Sequence, residues 1–402
     1  MLINHADRLA AVVLDLLTDG PMSFDDIRAA AGVSTPTLRR ALHALAQAAW
    51  ILPVGRSTST GGRPATLYGL AGSTRLLLGV HLELPGLHFV LMDLTGAVVD
   101  RVYRHGSTST QPDDVIREIV RYTHDARLRF GERTLLGIGI ATPGYVDPAS
   151  GTILSIGRVP LWQTFPLKAR LEADLGLPVT VDNDVDCMTQ VELASSRPPA
   201  AQDMIYVGLI EGVKASLVLG GQLYRGPFGN AGLIGHIVVS ADGPLCTCGK
   251  RGCLEAIASV QAVCEAFDRR SGHISQQSPS LRLIRTIDDR AAKCVAVLNA
   301  AEGGEPLCTE IAEEMIRALA LAISNVICLL QVPVVVFGGV LSSMPPGLRA
   351  RQEQRIRELL PPLLNNHLVI RAATVTDAHS AAMGAAHQLW RQYLTQVAFS
   401  TG

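Results

Sequence analysis

Two groups of residues in this sequence have the types and spacing to do chemistry. Cys246, Cys248 and Cys253 crowd one short stretch, and His236 precedes them in a His-x9-Cys-x-Cys-x4-Cys spacing. One imidazole and three thiolates form a four-donor set suited to tetrahedral zinc, with no position left for a reacting water, so such a site is structural. Gly249 and Gly252 let the loop turn back on itself. The alternative is three reduced thiols and an unrelated histidine. The other cysteines, Cys187, Cys264, Cys294, Cys308 and Cys328, are scattered and read as small hydrophobes. The second group is Asn183-Asp184, just after a short apolar strand, where a cleft would lie. An amide beside a carboxylate can bridge adjacent hydroxyls, with or without catalysis. The alternative for an isolated pair is a turn.

A different chemistry is written in residues 1 to 70. Leu9, Val12, Val13, Leu16 and Leu17 recur at helical spacing until Asp19-Gly20-Pro21. A second helix opens at the N-cap Ser23, with Asp25 and Asp26 in its first turn, and ends at Gly32. A third follows Ser34, with Leu38, Ala41, Leu42 and Leu45 on one face. Short strands at 51–54 and 63–68 then flank a Gly/Ser/Thr-rich run, a hairpin or wing. This is the order of a winged helix-turn-helix, whose third helix enters the DNA major groove. Between Ile27 and Leu82 lie Arg28, Arg39, Arg40, Arg56, Arg63 and Arg75, and not one Asp or Glu. Ser34, Thr35 and Thr37 are candidate phosphate contacts, Arg39 and Arg40 candidate base contacts, and Arg63 a candidate for a narrow minor groove. The competing reading is a helical dimerisation domain with solvated arginines, and a plain linker at Gly62-Arg63-Pro64.

The whole chain has 402 residues, 48% hydrophobic and 18% charged, enough for two or three domains at about 150 residues each. Thirty-five Lys+Arg against 36 Asp+Glu leave a net charge of −1. That excludes a polybasic nucleic-acid coat or membrane-surface protein, though not a local basic patch. The N-terminus carries charges where a signal peptide would be apolar, and the apolar stretch 318–336 is broken by Ser324, Asn325, Gln331 and Pro333, so a cytoplasmic protein without a membrane partner is expected. Past Arg75, apolar strands at 76–82, 87–93, 135–141 and 179–181 alternate with helices at 112–130 and 167–175. A strand pair at 204–212 and 215–220 and a long helix at 311–330 before a strand at 334–337 complete the pattern, with a polar, weakly periodic insert at 269–289. Such alternation predicts an α/β architecture in two lobes, with ligands at the strand ends.

The run Gly232-Leu233-Ile234-Gly235-His236, followed by Cys246 to Cys253 and Leu254-Glu255, closely resembles the ROK family of sugar-responsive repressors and sugar kinases. Ile138 to Asp147, Val181 to Asp184 and Val336 to Leu341 extend the likeness, and the winged front end points to the repressor branch. The resemblance implies a winged helix-turn-helix at 1–70 and a two-lobed actin/hexokinase-like (ribonuclease H-like) body at 71–185 and 186–402, the second lobe carrying the zinc loop. It implies that His236, Cys246, Cys248 and Cys253 hold structural zinc. Asn183, Asp184, Glu255 and His236 would contact a sugar or sugar derivative, and the Gly144 backbone would approach it closely. It further implies a homodimer or dimer of dimers on a palindromic double-stranded operator, with the C-terminal helix around 378–394 a candidate for the dimer contact.

The departures from the family pattern shape the expectation. His81 replaces the Asp of the kinases' first phosphate loop, and the glycines of that loop are gone. The second phosphate loop reads Gly208 to Ser216 with Glu211 inside it, where a carboxylate would repel a phosphate. ATP is therefore not expected as a cofactor, Asp184 becomes vestigial as a catalytic residue, and Gly338-Gly339 becomes a packing turn. Leu233 stands for the usual sugar-binding Glu, a loss costing about 1–3 kcal/mol against a facing hydroxyl. The effector then lacks that hydroxyl or is modified. Arg158 could recognise a carboxylate or phosphate on the ligand, an exposed loop arginine being the equal alternative. The expected protein is a non-catalytic, ligand-responsive repressor of carbohydrate genes. Its rivals are a sugar kinase with an appended head and a DNA-binding protein with a dead pocket.

Overall fold

Local capping chemistry sets the first elements. The computed structural model describes residues 5–58, 64–84, 86–105, 110–157, 159–195, 203–272 and 278–399. Helix α1 (His5–Thr18) is followed by the short strand β1 (Met22–Ser23), α2 (Phe24–Ala31) and α3 (Thr35–Gln47). Ser23 Oγ accepts the Asp26 N–H at 3.2 Å, and Gly32 ends α2 in the left-handed region at φ 62. Ser34 caps α3 in the same way. Strands β2 (Ile51–Arg56) and β3 (Thr66–Leu70) pair antiparallel, with β1 on the other side of β3. The winged helix-turn-helix expected from the sequence is thus present.

Behind it stands a mixed sheet. Strands β4 (Arg75–Glu83), β5 (Gly86–Asp93) and β6 (Val98–Arg104) form an antiparallel meander, then α4 (Pro112–Arg129) crosses to β7 (Thr134–Thr142). After the hairpin β8 (Tyr145–Asp147) and β9 (Thr152–Ser155), α5 (Leu167–Leu175) leads to β10 (Val179–Asn183) and α6 (Asp184–Ser195). The order is β10-β7-β4-β5-β6, with β10, β7 and β4 parallel. Strand β4 is buried on both faces. Leu76, Leu78, Val80 and Leu82 join Ile116, Ile119 and Tyr122 of α4 in one core, whereas Leu77 belongs to another.

A second sheet repeats the scheme. Strands β11 (Met204–Leu209), β12 (Val213–Leu219) and β13 (Gln222–Tyr224) form the meander. Then come α7 (Glu255–Ala258), α8 (Val260–Ser271), α9 (Pro279–Arg285), α10 (Arg290–Glu302), α11 (Pro306–Leu330), β14 (Val334–Gly339), α12 (Pro346–Glu358), α13 (Pro362–Asn365) and β15 (Val369–Ala372). The order β13-β12-β11-β14-β15 matches the first sheet strand for strand, the meander at one side and parallel strands at the other. Its own core centres on α11, from Leu307 to Ile327.

The last helix, α14 (Ser380–Phe399), returns to the first sheet. Two compact units result: Met1–Ala194 with Ala378–Gly402, and Ser195–Asp377. This differs from the expected division at 185 and from a second lobe running to 402. The reason is steric and apolar. A Cβ at Gly79 would lie 1.9 Å from the Ala382 carbonyl oxygen and one at Gly139 2.0 Å from that of Ala385, so only glycines let the α14 backbone lie on β4 and β7. Ala382, Ala386, Leu389, Trp390 and Leu394 then share a core with Val13, Leu17, Leu38 and Leu42 of the head. The apolar face of α14 is buried inside this unit. The insert at 269–289 also differs from expectation, since α9 lies within it and buries Leu281 and Ile284.

Candidate functional site

The winged helix-turn-helix presents α3 to solvent. Leu38, Ala41, Leu42 and Leu45 turn inward, leaving Ser34, Thr35, Arg39 and Arg40 exposed and Thr37 half-buried. Ser34 Oγ accepts the Thr37 N–H at 3.4 Å and lies 2.8 Å from Thr37 Oγ1, so these two hydroxyls serve the cap first. Among the described residues Arg39 and Arg40 form no ion pair, whereas Arg28 pairs with Asp25 at 3.6 Å. Arg75 does not face outward with them: its guanidinium donates to the Ala48 and Ala49 carbonyls and lies 3.6 Å from the Trp50 ring centroid. Arg56 is exposed on β2, and Arg63 lies outside the described residues.

In the same unit, the β10 to α6 transition builds a polar corner. Asn183 Oδ1 accepts the N–H groups of Val185 and Asp186 at 3.0 and 3.4 Å, and its Nδ2 donates to the Gly144 carbonyl at 3.1 Å. The corner therefore brings Asn183, Asp184 and Gly144 together, with Gly144 at φ 84. Asp184 is buried, and its Oδ1 accepts the Val185 N–H at 2.8 Å. Its other oxygen faces His81 Nε2 at 3.9 Å.

His81 belongs to a cluster that the sequence reading missed. It pairs in register with His88 across β4 and β5, their rings stacked at 5.7 Å. His88 Nε2 lies 2.6 Å from Glu83 Oε2, and His379 meets the His88 ring edge-on. Burial alone would raise the Glu83 pKa, but the His88 hydrogen bond and the charges of His81, His88 and His379 hold it below its ordinary value. A histidine inside an otherwise apolar strand was the available signal. The β4–β5 connection is only residues 84–85, so no glycine-rich loop exists there.

In the second unit, the donor atoms of His236, Cys246, Cys248 and Cys253 all lie within 4.8 Å of one another. Cys246 Sγ is 3.7 Å from His236 Nδ1, and Cys248 Sγ is 3.6 Å from Cys253 Sγ. Gly252, at φ 69, is forced: a Cβ there would lie 1.5 Å from the Ser240 carbonyl oxygen. Burial, reinforced by hydrogen bonds with Cys248 and Cys246, pushes the Cys253 thiol up to about 12, while the Lys250 backbone N–H draws Cys248 below its ordinary value. This is a four-donor set that could hold a metal ion.

Glu255 starts α7, and its Oε2 accepts the Val213 N–H at 3.4 Å. Leu233, three residues before His236, is 39% exposed. Glu211 sits in the tight β11–β12 turn, where Arg290 of α10 pairs with it at 3.4 Å. Gly338 is not in the expected turn: it lies within β14, paired with Gly208 of β11, and a Cβ there would lie 2.1 Å from the Tyr206 hydroxyl oxygen. Arg158 lies outside the described residues. No described helix is long and apolar enough to cross a membrane.

The xylose repressor of Bacillus subtilis (strain 168) is 25% identical over 268 residues, 65% of this chain and 68% of that protein. A solved ROK family transcriptional regulator, described as a homolog of the Escherichia coli Mlc protein, matches with a TM-score of 0.81 at 23% identity, covering 98% of this chain and 99% of that one. A ROK family glucokinase from Streptomyces griseus, in complex with glucose and AMPPNP, matches with a TM-score of 0.66 at 24% identity, covering 78% and 98%. The actin-like two-sheet body is thus shared with both. Residues 78–392 match the ROK family model, well over half of the chain, and the protein belongs to the ROK family.

Proposed function

We propose that this protein is a sugar- or sugar-derivative-responsive DNA-binding transcriptional regulator, a repressor of genes for carbohydrate uptake or breakdown. One observation carries the reading. A helix exposing Arg39 and Arg40 without acidic partners among the described residues belongs to a winged helix-turn-helix joined to a body that buries an amide and a carboxylate at a strand end. The xylose repressor and the Mlc homolog support the same assignment. Ser34, Thr35, Thr37, Arg39, Arg40 and Arg63 are assigned to a palindromic duplex, and Asn183, Asp184, Gly144, Arg158, His236 and Glu255 to the effector. Ligand binding shifts the population of paired heads able to span two half-sites, as a homodimer or dimer of dimers would require. Gel shifts on the protein's own upstream region should weaken steeply with salt. Unchanged binding by the Arg39→Ala, Arg40→Ala double variant would exclude α3 as the reader.

The His236, Cys246, Cys248 and Cys253 set is assigned to a structural Zn2+. Four soft or borderline donors fill a tetrahedral shell and leave no site for chemistry. Metal analysis should return about one zinc per chain, and Cys253→Ser should release it.

A second reading, an ATP-dependent sugar kinase with an appended head, is favoured by the buried Asp184 and the glucokinase match. Against it stand the mere two residues between β4 and β5 and the presence of Glu211. Phosphoryl transfer from labelled ATP across a sugar panel decides between them. Turnover abolished by Asp184→Asn would establish the kinase.

A further inference from the structure

The junction between the head and the first sheet is built around one strained residue. Ala49, just beyond α3, has φ 52, a left-handed conformation that a residue with a side chain keeps only where its surroundings over-determine it. The Ala49 carbonyl accepts from Thr74 Oγ1 at 2.9 Å and from Arg75 Nη1 at 2.5 Å. The neighbouring Ala48 carbonyl accepts from Arg75 Nη2 at 2.8 Å. One planar guanidinium thus spans two successive carbonyls at the end of α3, where the helix dipole is negative. The same guanidinium covers Trp50, which stacks on Trp390 at 6.3 Å and lies 5.9 Å from Tyr393, both in α14. Trp390 Nε1 also donates to Thr18 Oγ1 at the end of α1, at 2.9 Å.

We infer that Arg75 is a positioning residue for DNA recognition: from the first position of β4 it fixes the C-terminal end of α3, and with it the direction of Arg39 and Arg40, to the body sheet. This rests on the proposed DNA reading of the head. Arg75 lies in the acid-free, arginine-bearing stretch, yet its donors are engaged within the chain, so it acts on DNA through α3. Six positions further along the same strand, His81 faces Asp184. The strand that holds the reader also lines the polar corner.

The test uses the full chain with Arg75→Gln and Arg75→Lys. Hydrogen exchange is followed in peptides spanning 44–52 and 24–31, and affinity for a labelled duplex from the protein's upstream region is titrated across salt. Arg75→Gln should speed exchange in 44–52 by roughly tenfold while 24–31 stays at the wild-type rate, because the turn opens and the head core does not. Affinity should drop by about tenfold with an unchanged salt slope, since no phosphate contact is lost. Arg75→Lys, which keeps the charge without the fork, should fall between. Wild-type exchange in 44–52 overturns the inference. So does equal acceleration in 24–31, which would make Arg75 a general support of the head. A salt slope shallower by about one charge would make it a direct phosphate contact and equally overturn the role. Should the wild-type chain fail to bind the duplex at every salt concentration, the DNA reading fails instead, and the exchange comparison still decides what Arg75 holds.

Discussion

The buried polar side chains divide into those with partners and those without. Asp184 has the Val185 backbone N–H on one oxygen and the His81 imidazole facing the other at 3.9 Å. Gln352 is the contrast: fully buried in α12, it has no hydrogen-bond partner at either amide atom. An unsatisfied buried amide costs about 1–3 kcal/mol, and methionine nearly matches its shape. Gln352→Met should therefore raise unfolding stability by about 1 kcal/mol in urea; a comparable loss would mean the amide is satisfied. His387 of α14 is shifted by burial, with Arg391 adding to it, down to about 4. The unfolded chain takes up its proton near the ordinary histidine value and the folded chain does not. Stability should therefore fall as pH drops from about 6.5 towards 4, by no more than about 3 kcal/mol. Melting curves of His387→Gln should be flatter over that window, and a parallel pH profile would exclude His387 as the source.

At the scale of elements, what was legible in the sequence was what local chemistry decides. Ser23, Gly32 and Ser34 mark their helix ends because caps bond to backbone groups a few residues away. The strands from 76 to 93 were readable because both faces are buried. α9 was not, because a seven-residue helix with two buried side chains leaves no periodicity to detect. Arg75 was read by the sign of its charge, while its direction depends on a turn at Ala49 that no spacing reveals. The role of α14 was likewise hidden: its alanines suit any helix contact, and glycines far away in the chain, Gly79 and Gly139 among them, determine which. The corner at Asn183 was identified by type, but its link to Gly144 needed the fold. Gly79→Val should thus cost more than the about 1–3 kcal/mol of ordinary overpacking, because it meets backbone rather than a mobile side chain. A wild-type melting temperature would show that α14 is not fixed there.

At the scale of the molecule, two sheets of one topology have separate cores, and the chain leaves the first unit after Ala194 and re-enters it at Ala378. The second unit is an insertion with its own interior. The fragment Ser195–Asp377 should melt cooperatively when expressed alone and bind added Zn2+ at its four-donor loop, and a fragment without either property would tie that core to the first unit. The first unit faces the opposite situation. Leu77, Val90 and Met92 are covered by a helix that follows every other element in the chain. During synthesis the head can form early, but the apolar floor that steadies it stays uncovered until α14 has left the ribosome. Exposed apolar surface of that kind invites association and chaperone capture. A chain cut short before Ser380 would then carry a formed α3 on an unsealed body, a target for proteolysis or aggregation.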